Sequence, residues 1–269
     1  MIQEYRIPIK GVRRRTICHF SDVHLTEYDD LSTPEEIARA RERAEDWMRL
    51  KRDFCKNHGA PYGEAESAPA LQQFRKLLAA SADADALVLA GDILDYVSPA
   101  NLRVYDREMQ GVKVPFVTVC GNHEPPGKVP AGYRFSEAAA PVQALDLGDL
   151  RILAFDDAER HITEAQLSTL EAALREGKPL ILALHVPVMT PGNEAKLRAE
   201  SPYFRLNYDG CPAENLEFIE LIRRYPEPVA AVLAGHLHFA DHSEIAPGVP
   251  QYVPAQGIVG SMNRYIVGE

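Results

Sequence analysis

The chain has no apolar stretch long enough to cross a membrane, and Met1-Ile2-Gln3-Glu4 lacks the charged-then-apolar pattern of a signal peptide. A membrane anchor is therefore not expected, and the cytoplasm is the default location. Cysteine is scarce: Cys18, Cys55, Cys120 and Cys211 are the four, with no close spacing and no CxxC. That argues against a disulfide framework or a thiolate zinc site; Cys18 and Cys120 lie in apolar runs and read as small core residues. Positive charge is also short, with 29 Lys and Arg against 39 Asp and Glu, a net charge of -10. Tight nonspecific binding to nucleic acid needs a basic surface, so nucleic acid is not an expected partner. The one basic cluster, Lys10 with Arg13, Arg14 and Arg15, reads as a solvated N-terminal arm. Internal repeats and low-complexity segments are absent.

What is present is ordinary globular material. The 269 residues, 46% hydrophobic and 25% charged, suit one α/β domain over 1–269. Apolar runs at Thr16–Phe20, Ala86–Ala90, Val114–Cys120, Leu150–Phe155, Leu180–Leu184 and Val229–Leu233 predict strands. Thr33-Pro34-Glu35-Glu36 carries a capping hydroxyl, a proline at the first helical position and acids in the first turn. It predicts a long charged helix to about Asn57; a second follows near Ala70–Ala80. Together they form a helical insertion at about 30–82. Thr163-Glu164-Ala165-Gln166 caps another helix, with Leu167, Leu170 and Leu174 at helical spacing. A further helix is predicted near Ala213–Arg224. Residues 190–213 read as a long loop, and the tail after Pro247 as short antiparallel strands.

Five short polar segments stand out, most of them ending a strand: Asp22-Val23-His24, Gly91-Asp92-Ile93-Leu94-Asp95, Gly121-Asn122-His123-Glu124, Leu184-His185-Val186-Pro187 and Gly235-His236-Leu237-His238. In α/β folds ligands sit beyond the carboxyl ends of the strands. On an extended strand Asp22 and His24 would point the same way, as would His236 and His238, so each pair could grip one ion. Asp92 has two oxygens and could bridge two ions; Asn122 offers a carbonyl oxygen and His185 a ring nitrogen. Mixed carboxylate and imidazole ligation suits two divalent ions of Mn, Fe, Zn or Ni better than Mg or Ca. Two such ions about 3.5–4 Å apart could hold a bridging hydroxide and clamp a phosphate ester. A single one of these histidines would read as a hydrogen-bonded core residue. Five segments in this order would not.

With these motifs the sequence from Thr16 to about Glu244 resembles the calcineurin-like metallophosphoesterase superfamily, in particular bacterial members of unassigned substrate. The resemblance implies a four-layer α-β-β-α sandwich of two mixed sheets. It implies one ion on Asp22, His24, Asp92 and His238, and a second on Asp92, Asn122, His185 and His236. His123 matches the family's catalytic histidine and Asp95 the carboxylate that orients it. A carboxylate beside a histidine raises its pKa and keeps it available as an acid. Protein Ser/Thr phosphatases carry arginine where Tyr96 stands here, and purple acid phosphatases carry tyrosine where Asp95 stands. The Gly-His-Leu-His ending looks more like phosphodiesterase and nuclease-type branches.

The expected activity is thus hydrolysis of a small phosphate ester, a phosphodiester or nucleotide-like compound, with a phosphomonoester as the alternative. A non-catalytic scaffold on the same fold is disfavoured by the presence of His123, and a DNA nuclease by the acidic balance. Tyr203, Phe204, Asn207 and Tyr208, in the loop after His185, are the candidate substrate residues. Trp47 and Phe54 place a lid or dimer surface on the inserted helices, whereas Arg39-Ala40-Arg41-Glu42-Arg43 reads as a solvated helix face. His19 is expected in the core, and His58, His161 and His242 at the surface or in loops.

Overall fold

A computed structural model describes residues 1–269. In chain order its elements are β1 (Ile2–Ile7), β2 (Arg15–Phe20), α1 (Pro34–Asn57), α2 (Glu64–Ser67), α3 (Ala70–Ala80), β3 (Ala86–Ala90), α4 (Pro99–Met109), β4 (Phe116–Val119) and β5 (Val142–Asp146). Then come β6 (Arg151–Phe155), α5 (Glu164–Glu176), β7 (Leu180–Ala183), α6 (Glu194–Ala199), α7 (Ala213–Arg224), β8 (Val229–Leu233), β9 (Asp241–Ala246), β10 (Val249–Val253) and β11 (Met262–Val267). They form two mixed sheets, ordered β1-β11-β2-β3-β4 and β5-β6-β7-β8-β10-β9.

The two sheets pack face to face through Ile17, Val88, Val117, Ile152, Ile181 and Leu233, with Ala86, Ala90, Ala154, Ala183 and Ala231 among them. Alanine at so many inward positions keeps the sheets close. The outer face of the first sheet is covered by α1, α3 and α4 through Trp47, Phe74 and Tyr105. That of the second is covered by α5 and α7 through Leu170, Leu174, Phe218 and Ile222. Helix, sheet, sheet and helix are the four layers. No helix is long and apolar enough to cross a membrane.

The capping signals act as local chemistry requires. Thr33 Oγ1 accepts from Glu36 N at 3.2 Å while Thr33 N donates to Glu36 Oε2 at 2.7 Å. Thr163 and Gln166 form the same reciprocal pair at the start of α5.

Three sequence expectations change. Arg15 is no part of a solvated arm: it is buried on β2, with Nη1 2.5 Å from Asp149 Oδ1 and Nη2 donating to Leu147 O at 2.7 Å. The stretch 190–213 is no plain loop; it holds α6 and a 3-10 turn at Pro202–Phe204. The tail is not one antiparallel set. β9 and β10 pair antiparallel, but β10 runs parallel to β8, and β11 crosses to the other sheet between β1 and β2.

Candidate metal centre and its carboxylate–histidine pair

The carboxyl ends of β2, β3, β4, β7 and β8 converge, and each carries one of the five polar segments. Asp22, His24, Asp92 and His238 present ligand atoms within 4.8 Å of one another, and so do Asp92, His185 and His236. Asp92 belongs to both groups. His185 Nε2 is 3.1 Å from Asn122 Oδ1 and 3.4 Å from Asp92 Oδ2. His24 Nε2 is 3.1 Å from His238 Nε2, which in turn is 3.3 Å from Asp22 Oδ1.

The route by which Asp22 and His24 meet differs from the expected strand alternation. β2 ends at Phe20, and Asp22, His24, Asp92, His236 and His238 all have positive φ, from 51° to 71°. A left-handed backbone costs a non-glycine residue about 1–2 kcal/mol, so long-range contacts must impose it. Asp22 N donates to Gly91 O at 3.0 Å and His24 N to Asp92 O at 3.0 Å, which locks the first two segments together. His236 N donates to Asp22 Oδ2 at 3.0 Å, and Ser21 Oγ also bonds that carboxylate. At Gly121 a Cβ would overlap the Asp92 carboxylate, so only glycine fits there.

Hydrogen bonds select which ring nitrogens face inward. His185 Nδ1 donates to Ala90 O at 2.8 Å, leaving Nε2 toward Asp92; burial lowers the His185 pKa, but the Asp92 charge and hydrogen bond raise it to about 10. His236 Nε2 donates to Tyr203 O at 3.0 Å, and its buried Nδ1 has no partner. Asp22 Oδ1 and His238 Nδ1 are likewise buried and unpartnered. Burial holds His236 down at about 3, that is, neutral and ligand-ready. Burial pushes Asp22 up, but the close approach and charge of His238 outweigh it and bring it to about 2. Burial, with His123 facing it, holds His24 well below the usual imidazole range. This donor set of carboxylate oxygens, one amide oxygen and imidazole nitrogens fits two divalent transition-metal ions.

His123 sits at the open edge, its side chain 26% exposed. Its amide N donates to Asp92 Oδ1 at 2.9 Å. Its Nδ1 donates to Asp95 O at 2.8 Å and is 3.1 Å from Asp95 Oδ1. Burial pulls the His123 pKa down, but the Asp95 hydrogen bond and the Asp92 charge together raise it to about 9.

The buried Asp95 carboxylate is held from an unexpected direction. Arg43 Nε and Nη2, from α1, donate to its Oδ2 and Oδ1 at 2.6 and 2.7 Å. Trp47 Nε1 donates to Oδ1 at 2.8 Å. The Trp47 ring stacks on His24 at 3.9 Å between centroids, and Phe54 meets His238 edge-on at 4.8 Å. The reading of Arg43 as part of a solvated face was therefore wrong, and Trp47 and Phe54 form a wall of the site. Spacing of four on a helix puts Arg43 and Trp47 on one face, a signal the charge run obscured.

Two buried acids to which the sequence assigns no role support the site. Asp157, at the end of β6, accepts from His185 N at 2.7 Å and Val186 N at 3.0 Å, positioning the His185 segment. Burial pushes it up to about 7 against the opposing pull of His185 and these amides. Glu124 accepts from Ile93 N at 2.8 Å, and burial beside the Asp92 charge raises it well above the usual carboxylate range. Both follow the strand-end logic of the other segments.

The four candidate substrate residues divide. Tyr203 and Phe204 have rings 5.5 and 5.0 Å from His236. Tyr208 reaches the site only through Arg160, whose guanidinium carbon lies 4.5 Å from the ring centroids of both Tyr203 and Tyr208. Asn207 uses its side chain on the main chain of Met189, accepting from N at 2.7 Å and donating to O at 2.9 Å. It is a loop strut, with both amide atoms already engaged. His19 is buried, bonded to Tyr265 Oη at 3.1 Å; His161 and His242 are exposed, and His58 is half-buried against Phe239.

The family profile of the calcineurin-like phosphoesterases matches residues 15–240. The chain belongs to that family. It is a metal-dependent hydrolase of phosphate esters, and the family uses dinuclear metal centres. A dimetal phosphatase from Danio rerio has a similar structure, with a TM-score of 0.60 at 16% identity over 95% of this chain and 93% of the other. A purple acid phosphatase from yellow lupin seeds matches with a TM-score of 0.51 at 16% identity, over 94% of this chain and 46% of its own. At such identities the likeness concerns the fold alone. No curated protein matches the sequence.

Proposed function

We propose that this phosphoesterase hydrolyses a small phosphodiester or nucleotide-like ester. Asp22, His24, Asp92 and His238 would hold one ion, and Asp92, Asn122, His185 and His236 the other. The observation that carries this reading is the sharing of Asp92 between two ligand groups lined by buried, unpartnered Asp22 and histidine atoms. Two bound divalent ions would supply Lewis acidity to the ester and to the attacking water.

The chain's own part is to hold and move a proton. His123 Nδ1 is fixed by Asp95, so Nε2 carries the proton for the leaving oxygen. Asp95 cannot swing away, because Arg43 and Trp47 grip it from α1. α1 and Trp47 keep water from the His24 side, leaving His123, Asn122 and Tyr203 at the mouth. A non-catalytic scaffold would have no use for this pair.

The test is a panel of chromogenic mono- and diesters, cyclic nucleotides and short DNA, each with Mn, Ni, Zn and Fe. Diesters turned over ahead of monoesters is the expected result. Hydrolysis of monoesters alone makes it a phosphomonoesterase, and no turnover with two ions bound overturns the catalytic reading.

A further inference from the structure

Six non-glycine residues have positive φ, and five of them are among the seven ligand candidates; the sixth is Arg160, at 57°. It lies between β6 and α5, outside every sequence motif. Such strain persists only where surroundings over-determine it, and here they do. Arg160 N donates to Asp157 O at 2.7 Å, and Arg160 O accepts from Asn215 Nδ2 at 2.9 Å. The same buried Asn215 amide donates to Leu206 O at 2.9 Å and accepts from Ile162 N at 2.9 Å. Asn215 thereby ties the Arg160 turn to the segment after β7 that carries Tyr203 and Tyr208.

The side chain is held as deliberately as the backbone. Its guanidinium carbon lies 4.5 Å from the ring centroids of both Tyr203 and Tyr208, a geometry that stabilises a cation without neutralising it. Arg160 has no carboxylate partner, and its side-chain hydrogen bond, to Pro202 O, is long at 3.4 Å. In a protein of net charge -10, a half-buried arginine without a counter-ion is conspicuous. Tyr203 connects it to the metal centre: its carbonyl accepts from His236 Nε2 at 3.0 Å and its ring is 5.5 Å from the His236 ring. One aromatic ring thus separates the guanidinium from a ligand of the second ion. Arginine's planar fork suits a pair of anionic oxygens.

We propose that Arg160, bracketed by Tyr203 and Tyr208, receives a second anionic group, a carboxylate or phosphate on the part of the ester that is not attacked. This rests on the phosphoesterase reading of the site. It gives the tyrosines a different task from stacking on a base: they hold the arginine that selects a substrate with a second anionic group.

The test compares methyl phenyl phosphate, a singly charged diester, with its 4-carboxy and 4-phosphate ring analogues on manganese-loaded protein. kcat/KM is measured for turnover, and Kd by calorimetry. The wild type should favour the esters that carry a second anionic group by about tenfold, as one charge-assisted contact provides. Arg160→Gln should bring that ratio to parity, with the change in KM and not kcat. Arg160→Lys keeps a charge without the fork and should retain part of the preference; it also serves if the glutamine variant does not fold. The carboxylate and phosphate arms show which anion is preferred. If no ester turns over but the Kd ratio still depends on Arg160, the phosphoesterase reading fails and the anion site stands. A wild type without preference, or a ratio unchanged in Arg160→Gln, overturns the proposal.

Discussion

His123 and His19 show how one residue type takes opposite roles in one molecule. The rim histidine has a carboxylate on Nδ1 and a pKa raised to about 9, so it holds its proton through neutrality and loses it as pH rises toward that value. His123→Ala should keep its metal content, by elemental analysis, yet lose about 10²–10⁴-fold in kcat. Esters with strongly acidic leaving groups need no proton and should lose less. Metal loss with full activity per remaining ion would instead make His123 a ligand. His19 is the reverse case: burial depresses its pKa to about 3, and the folded state keeps it neutral. A depressed pKa means the unfolded chain binds the proton first. Stability from this residue is therefore full above pH 6.5 and is lost as pH falls toward 3. His19→Gln, which can still bond Tyr265, should flatten the fall in denaturant midpoint between those limits; an acid slope identical to wild type would refute it.

At the scale of elements, α1 forms one wall of the candidate metal centre. Ala40, Trp47, Lys51 and Cys55 form its buried stripe, and Arg43 reaches Asp95 from beside it. Arg43→Met should lower kcat by about tenfold, the worth of a charge-assisted hydrogen bond lost at a buried carboxylate. The loss should be largest for poor leaving groups, and added guanidinium should restore part of it. A uniform loss across all esters, insensitive to guanidinium, would make Arg43 a structural clamp only. The helix itself was legible from Thr33, Pro34 and Glu36. Its partner was not, because Arg43 and Asp95 are 52 residues apart. α4 has a fair start signal in Ser98 and Pro99, but its charged residues Arg103, Asp106, Arg107 and Glu108 blur the apolar period behind it.

For the whole molecule, the two sheets deliver five strand ends to one point, where buried carboxylates and imidazoles gather as the candidate metal centre. Asp92→Ala should cost both ions together, because Asp92 belongs to both ligand groups. Two ions retained in elemental analysis of that variant would show the bridge is elsewhere. Chelation of the wild type should lower Tm, since ions that bind only the folded state stabilise it by mass action. An unchanged Tm after complete metal removal would show that the site is formed without help from the ions.

Local pattern was enough for the α/β class, for most strands and for the ligand candidates. A strand announces itself over five residues, and a polar residue after it falls at the sheet edge, where α/β folds place chemistry. The same pattern could not show how those residues meet. The left-handed backbone at Asp22, His24, Asp92, His236 and His238 is intrinsically disfavoured and exists because segments far apart in sequence bond across it. The place of β11 between β1 and β2, the capture of Asp95 by Arg43, the engagement of Asn207 with Met189 and the bracketing of Arg160 by two tyrosines are likewise decisions of tertiary structure. Each depends on a partner remote in the chain or on a turn that local propensity opposes, and only the packed molecule supplies both.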